Sequence, residues 1–328
     1  MLRRILALFE PFVLALLASV LLASILPVRG AAVPLFETLT TAGIVLLFFL
    51  HGAKLSRAAI LDGARNWRLH LAVLGTTFVL FPILGLGLVS LPLVQGPMAA
   101  GILFLTLLPS TVQSSIAFTA IARGNVAAAV CSASFSNLLG IFATPALVAL
   151  LMTLPGTSAG VSLDSVETIA FQLLLPFLLG HGLRPWIGGF VARQKKLVTM
   201  VDRGSILLVV YTAFSAAVVG GLWQRVSGET LAILLLVCCV LLAAVLLLTL
   251  ALGRLLKFSR EDAIVLLFCG SKKSLASGVP MAGVLFSAAE VGAVILPLML
   301  FHQIQLIACA MIARHYARTA DNRTADKG

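Results

Sequence analysis

Charge is scarce in this chain. Asp, Glu, Lys and Arg together make up 11% of its 328 residues, against 60% hydrophobic ones. With a mean hydropathy of +1.11, too little polar surface is available to face water, so a soluble domain is excluded and a polytopic membrane protein is expected. Acidic residues number only 12, and none lies near the middle of an apolar run. The five cysteines, Cys131, Cys238, Cys239, Cys269 and Cys309, sit in apolar runs without the spacing of a metal site or a disulfide framework, as small core residues do. No HExxH, no GxSxG and no membrane-embedded His–acid pair occurs, so neither an enzyme nor a bound cofactor is expected. The net charge of +11 is spread among connections and forms no patch, which argues against nucleic acid as a partner.

What the chain has is length in apolar runs. They cover approximately 8–27, 35–53, 69–94, 97–121, 126–153, 167–190, 202–223, 229–253, 262–286 and 289–313, each about long enough to cross a bilayer. With the N-terminus placed inside, the inner connections collect nearly all the Lys and Arg residues. Among the exceptions, Arg29 and Arg225 fall outside, and Lys272 and Lys273 fall within a run. That bias predicts ten spans in a cell membrane with both termini cytoplasmic. Trp67, Trp186 and Trp223 lie near span ends, as an interfacial belt requires. The first run carries Glu10 and Pro11 and no clear small-x-small site before Pro34, so it reads as a retained span and not as a signal peptide.

Ten spans divide into two fives, 1–155 and 160–316, followed by a short cytoplasmic tail, 317–328. A duplicated five-span unit must insert its second copy upside down. Transporters with that symmetry place their sites at mid-membrane, where corresponding helices are interrupted. The fourth run contains Thr106-Leu-Leu-Pro-Ser-Thr-Val-Gln-Ser-Ser115 and the ninth Leu266-Leu-Phe-Cys-Gly-Ser-Lys-Lys-Ser274. Each is a Leu-Leu pair, then a helix breaker (Pro109 or Gly270), then a polar cluster. Nonhelical backbone at membrane depth survives only when buried in protein or lining a wet cavity. Half-helix N-termini there attract anions, and unwound carbonyls attract cations. Ser110, Thr111, Gln113, Ser114, Ser115, Gly270, Ser271 and Ser274 are therefore candidate site residues. So are Lys272 and Lys273, because a lysine at mid-bilayer costs about 2.5–3.5 kcal/mol unless it meets water, a partner or a ligand.

Neighbouring runs add to the set. Ser132, Ser136 and Gly140 recur on one helical stripe beside Asn137, and close helix packing explains that stripe as well as a polar lining does. His302, Gln303 and Gln305 stand deep in the last run, where interhelical hydrogen bonds are the competing explanation.

The run from Leu107 through Ser115 to Ala122-Arg-Gly-Asn125, the run Phe268-Cys-Gly-Ser-Lys-Lys-Ser-Leu-Ala-Ser-Gly-Val-Pro280, and Phe301-His-Gln-Ile-Gln305 resemble the bile acid:sodium symporter family, in its SBF-like branch. The resemblance covers essentially the whole chain. It implies ten helices, with a panel of spans 1, 2, 6 and 7 beside a core in which broken helices 4 and 9 cross. It also implies sodium-dependent symport. At the positions that resemblance gives to a carboxylate and a glutamine ligand of sodium, however, this chain has Phe268 and Lys272. Two hydroxyl ligands are replaced by Ala129 and Ala133, while Ser115 matches a serine ligand. Lys273 stands where an asparagine contacts substrate.

The expected function is a secondary active transporter moving a small organic anion by alternating access, with Lys273 supplying positive charge and Na+ or H+ as coupling ion. Proton coupling through an intramembrane lysine is the alternative within transport, and a non-transporting membrane regulator is the alternative outside it. In an intact helix adjacent side chains diverge by about 100°, so Lys272 and Lys273 face one pocket only if the backbone is unwound between them.

Overall fold

The computed structural model describes residues 11–54, 66–94, 96–152 and 170–325. Arg3, Arg4, Glu10, Arg57, Arg65 and Lys327, the end of the tail and the 153–169 connection between the two expected halves lie outside the described residues. Those described form helices and short connections, with no strand among them.

In chain order the helices are α1 (Pro11–Ile25), α2 (Val33–Lys54), α3 (Trp67–Val89), α4 (Pro97–Leu107), α5 (Gln113–Ile121), α6 (Val126–Leu151), α7 (Leu175–Arg193), α8 (Lys195–Val219), α9 (Gly228–Leu255), α10 (Arg260–Gly270), α11 (Leu275–Leu285) and α12 (Ala288–Ala325). Among the described residues six helices are long and apolar enough to cross a membrane: α2 with the short turn before it, α3, α6, α8, α9 and α12. Their starts are written locally. Asn125, Ser227, Ser259 and Ser274 each accept a hydrogen bond from the backbone N–H three residues on, capping α6, α9, α10 and α11.

The helices pack in two groups. In the first, α2 lies along α7 and α8, and α1 lies along α8. In the second, α3 to α6 and α9 to α12 pack together, and α8 joins the groups through α11 and α12. The α2–α7 crossing is close because it is built on glycine. A Cβ at Gly180 would collide with the Phe49 carbonyl, and one at Gly52 with that of Phe177. Without a hydrophobic force between helices in lipid, such backbone approach is what holds spans together. Large apolar side chains on the outside, among them Leu21, Leu247, Leu255 and Trp186, complete a surface suited to hydrocarbon.

One interruption was not visible in the apolar pattern. Residues Thr76–Leu80 of α3 form a π-turn. Its geometry pairs the Phe81 N–H with the Thr76 carbonyl, and Pro82 has no N–H to offer. The carbonyl of Thr77 is thereby left without a donor from its own helix.

Candidate functional site

Helix α4 stops at Leu107 and α5 begins at Gln113; α10 stops at Gly270 and α11 begins at Leu275. The two nonhelical stretches touch, with Ser274 N–H donating to the Pro109 carbonyl at 2.9 Å. Backbone groups freed at both stretches then meet partners one by one, as burial demands. Thr144 Oγ1 donates to the Leu107 carbonyl at 2.8 Å, and Asn137 Nδ2 to that of Ser110 at 2.8 Å. Ser136 Oγ accepts from Ser110 N–H at 2.9 Å. Across the contact, Ser110 Oγ donates to the Cys269 carbonyl at 2.5 Å and Ser115 Oγ to that of Phe268 at 2.9 Å. Gln305 holds Lys273 by both backbone groups, accepting from its N–H and donating to its carbonyl, each at 2.9 Å. Pro109 fits here because its neighbour on α6 is glycine: a Cβ at Gly140 would stand 2.6 Å from the Pro109 ring.

This accounting divides the candidate residues. Ser110, Ser115, Ser136 and Gln305 are spent on backbone, and Ser271 Oγ bonds the Leu267 carbonyl. Ser132 is bonded to His70 Nδ1 at 2.8 Å. Gly270 is buried against Leu266, Thr249 and Thr76, and Gln303 is half-buried on α12. None of these lines the cavity described below.

Lys272 and Lys273 form a separate case among the candidates. Both are fully buried, and neither lines that cavity. Lys273 Nζ donates to the carbonyls of Thr77, Thr106 and Leu108 at 2.8, 2.8 and 2.6 Å and lies 4.1 Å from the centre of the Phe81 ring. An ammonium has three protons, and all three are committed to backbone. In this structure the ammonium therefore faces backbone oxygens and not the cavity. Lys272 points elsewhere. Its Nζ lies 4.4 Å from the Phe118 ring centre, 5.7 Å from that of Phe268 and 3.3 Å from Ser114 Oγ. Thus two of the positions resembling sodium ligands, Phe268 and Lys272, bring an aromatic face and an ammonium to this point.

The cavity itself, about 390 Å³, lies between the two helix groups. On one wall are Thr111, Gln113, Ser114, Asn137, Ser274 and His302, six of the candidates, joined by Ser134 and Ser277. Ser277 Oγ donates to Asn137 Oδ1 at 2.8 Å, so one asparagine ties the α4–α5 stretch to the first turn of α11. The facing wall is Phe48, Phe177 and Ile206, with His51, Lys54, Thr199, Asp202 and Arg203 at one end; Lys54 is paired with Asp202. Sequence reasoning missed this wall. Phe48 and Phe177 look like any lipid-soluble residue in an apolar run, and Lys54 and Arg203 like ordinary inner-loop charge. A second, more open depression of about 930 Å³, against Arg29, Glu37, Thr212 and Gln224, contains none of the candidates.

Residues 10–318 match the model of the SBF-like CPA transporter family. Among curated relatives, the chain is 58% identical over 318 residues to the uncharacterized protein PA2026 of Pseudomonas aeruginosa, covering 96% of this chain and 95% of that one. It is 55% identical over 320 residues to the Escherichia coli protein named "Putative symporter YfeH", covering 97% and 96%. A frog relative, sodium/bile acid cotransporter 7-B of Xenopus laevis, is 25% identical over 310 residues, covering 91% and 89%.

Proposed function

The chain belongs to the SBF-like CPA transporter family, and from that footing we propose that it is a secondary active transporter of small amphipathic organic anions. The 390 Å³ cavity carries this reading, because its two walls belong to different helix groups. A solute bound between them is exposed to one side of the membrane or the other as one group rocks against the other. In this reading α1, α2, α7 and α8 form the panel and the remaining helices the core. The chain then makes ten crossings as two inverted repeats, 1–155 and 160–316, with both termini in the cytoplasm, and the Lys54–Asp202 end of the cavity faces inward.

The anionic preference rests on three features. The first turn of α5, at Gln113 and Ser114, borders the cavity and has no side chain capping it, so its N–H groups are available to an anion. The hydroxyl of Thr111, in contact with those of Ser114 and Ser115, stands beside it. The carboxylate in the lining, Asp202, is already engaged by Lys54. Phe48, Phe177, Ile206 and Met281 favour a solute with an apolar body.

For coupling, protons are favoured over sodium by one observation. Lys272 is separated from the cavity by a single hydroxyl, that of Ser114, and among the described residues has no carboxylate paired with it. A panel of organic anions tested in proteoliposomes, under an imposed pH gradient and separately under a sodium gradient, examines this directly. Uptake of at least one anion should follow the pH gradient. Lys272→Gln should keep anion exchange but lose accumulation by at least tenfold. Uptake driven by sodium alone, unchanged in Lys272→Gln, would contradict proton coupling. Absence of flux for every anion under both gradients would contradict the transport assignment.

A further inference from the structure

We infer that the Lys273 ammonium is a built-in cation. It fills a cation-binding site made of backbone, so that this locus needs no soluble ion. The inference stands on the geometry of the carbonyls and is independent of the transport reading.

The site is assembled from two separate interruptions. Thr77 contributes a carbonyl stripped of its helical donor by the π-turn and Pro82. Thr106 contributes another, because the N–H that would reach it in a continuous helix, that of Ser110, goes to Ser136 instead. Leu108 contributes the third, at the extended residue that ends α4. Three carbonyl oxygens aimed at one point in the buried interior make a strongly negative locus, with the negative face of the Phe81 ring at 4.1 Å adding to it. Left empty, the three oxygens would repel one another and remain unsatisfied. A cation with three N–H donors satisfies all three at once, and among the described residues no carboxylate takes part.

Elsewhere, unwound carbonyls at such crossings coordinate a soluble monovalent ion. Here a four-carbon stem delivers a primary ammonium from the other nonhelical stretch. The tether has a mechanical consequence. The stem joins the α10–α11 connection to both α3 and the end of α4, so the crossing stays closed whatever ions the two compartments contain. The chemistry predicts the substitute ligand: with the stem removed, the vacated site should select a small primary alkylammonium, which has three donors and a slim tail.

Lys273→Ala tests this by chemical rescue of thermal unfolding in detergent. The variant should melt at least about 5 °C below the wild type. n-Propylammonium should restore most of that loss along a saturable curve, whereas n-propanol, which lacks charge, and tetramethylammonium, which lacks donors, should not. The wild type, already filled, should not respond to n-propylammonium. Should the alanine variant fail to fold, Lys273→Met keeps the stem volume and lacks the charge, and it should still melt well below the wild type. A methionine variant as stable as the wild type would overturn the inference, and so would an alanine variant indifferent to n-propylammonium. Because melting needs no transport, a protein that rescues in this assay but moves no anion would leave the cation site standing while the transport reading fell.

Discussion

Gln305→Leu is expected to be among the most damaging single substitutions in this protein, and the neighbouring Gln303→Leu among the mildest. Gln305 is fully buried and satisfies both backbone groups of Lys273. Leucine preserves the apolar bulk but leaves a buried N–H and a buried C=O without partners, at about 1–3 kcal/mol each. The sum, about 2–6 kcal/mol, is a large share of the 5–15 kcal/mol that typically separates folded from unfolded protein. It also releases the residue that carries the ammonium of the carbonyl site. Gln303 sits on the same helix, half-buried, and its replacement should shift stability by no more than about 0.5 kcal/mol. Melting temperatures of the two purified variants check the pair. Equal losses would mean that the last helix is simply intolerant of leucine there and that the bonds to Lys273 matter little.

Asn137 carries the second large effect, on flux more than on stability. It ties the α4–α5 stretch to α11 through Ser110 and Ser277 and also borders the cavity. Asn137→Ala should reduce transport at least tenfold, equivalent to about 1.4 kcal/mol. The cost in melting temperature should be smaller than for Gln305→Leu, because the position is only half-buried and water from the cavity can replace the amide. Asn137→Asp separates the charge preference. It keeps an acceptor for Ser277 but puts negative charge in the lining, so anion flux should fall below that of the alanine variant. Better flux in the aspartate variant than in the alanine one would point to a cationic solute.

The parts of this architecture that were legible in the sequence are those set by local chemistry. Scarcity of charge and the lengths of the apolar runs give the membrane class, and the distribution of Lys and Arg gives an expected orientation. Where α4 and α10 end can be read from Pro109 and from Gly270-Ser271, because a missing N–H or a missing Cβ acts on the residue's own turn. What escaped was tertiary. Nothing in the run from 69 to 94 marks the Thr77 carbonyl as free until the π-turn and Pro82 are seen together. The direction of Lys273 was not readable from helical periodicity, since the backbone from Ser271 to Ser274 is not helical and the 100° rule does not apply there. The polar clusters marked the right region but did not separate residues that bond the unwound backbone, such as Ser110 and Ser136, from those that face the cavity, such as Thr111 and Ser114. That separation depends on which carbonyl each hydroxyl meets across the crossing, and a single sequence does not contain it. The wall built from α2, α7 and α8 was invisible for a different reason. Apolar residues that face a solute and apolar residues that face lipid are chemically the same.

The central claim is that the cavity between the two helix groups opens in turn to the two sides of the membrane. Ala276 is an exposed residue in its lining at the start of α11, so Ala276→Cys, with the exposed Cys239 replaced by Ser, provides a reporter that needs no knowledge of the substrate. Its reaction with a membrane-impermeant thiol reagent should be followed in inside-out and in right-side-out vesicles. The account predicts labelling from the cytoplasmic face and, more slowly, from the outer face as well. Labelling from one face only, however long the exposure, would contradict alternating access and with it the proposed function.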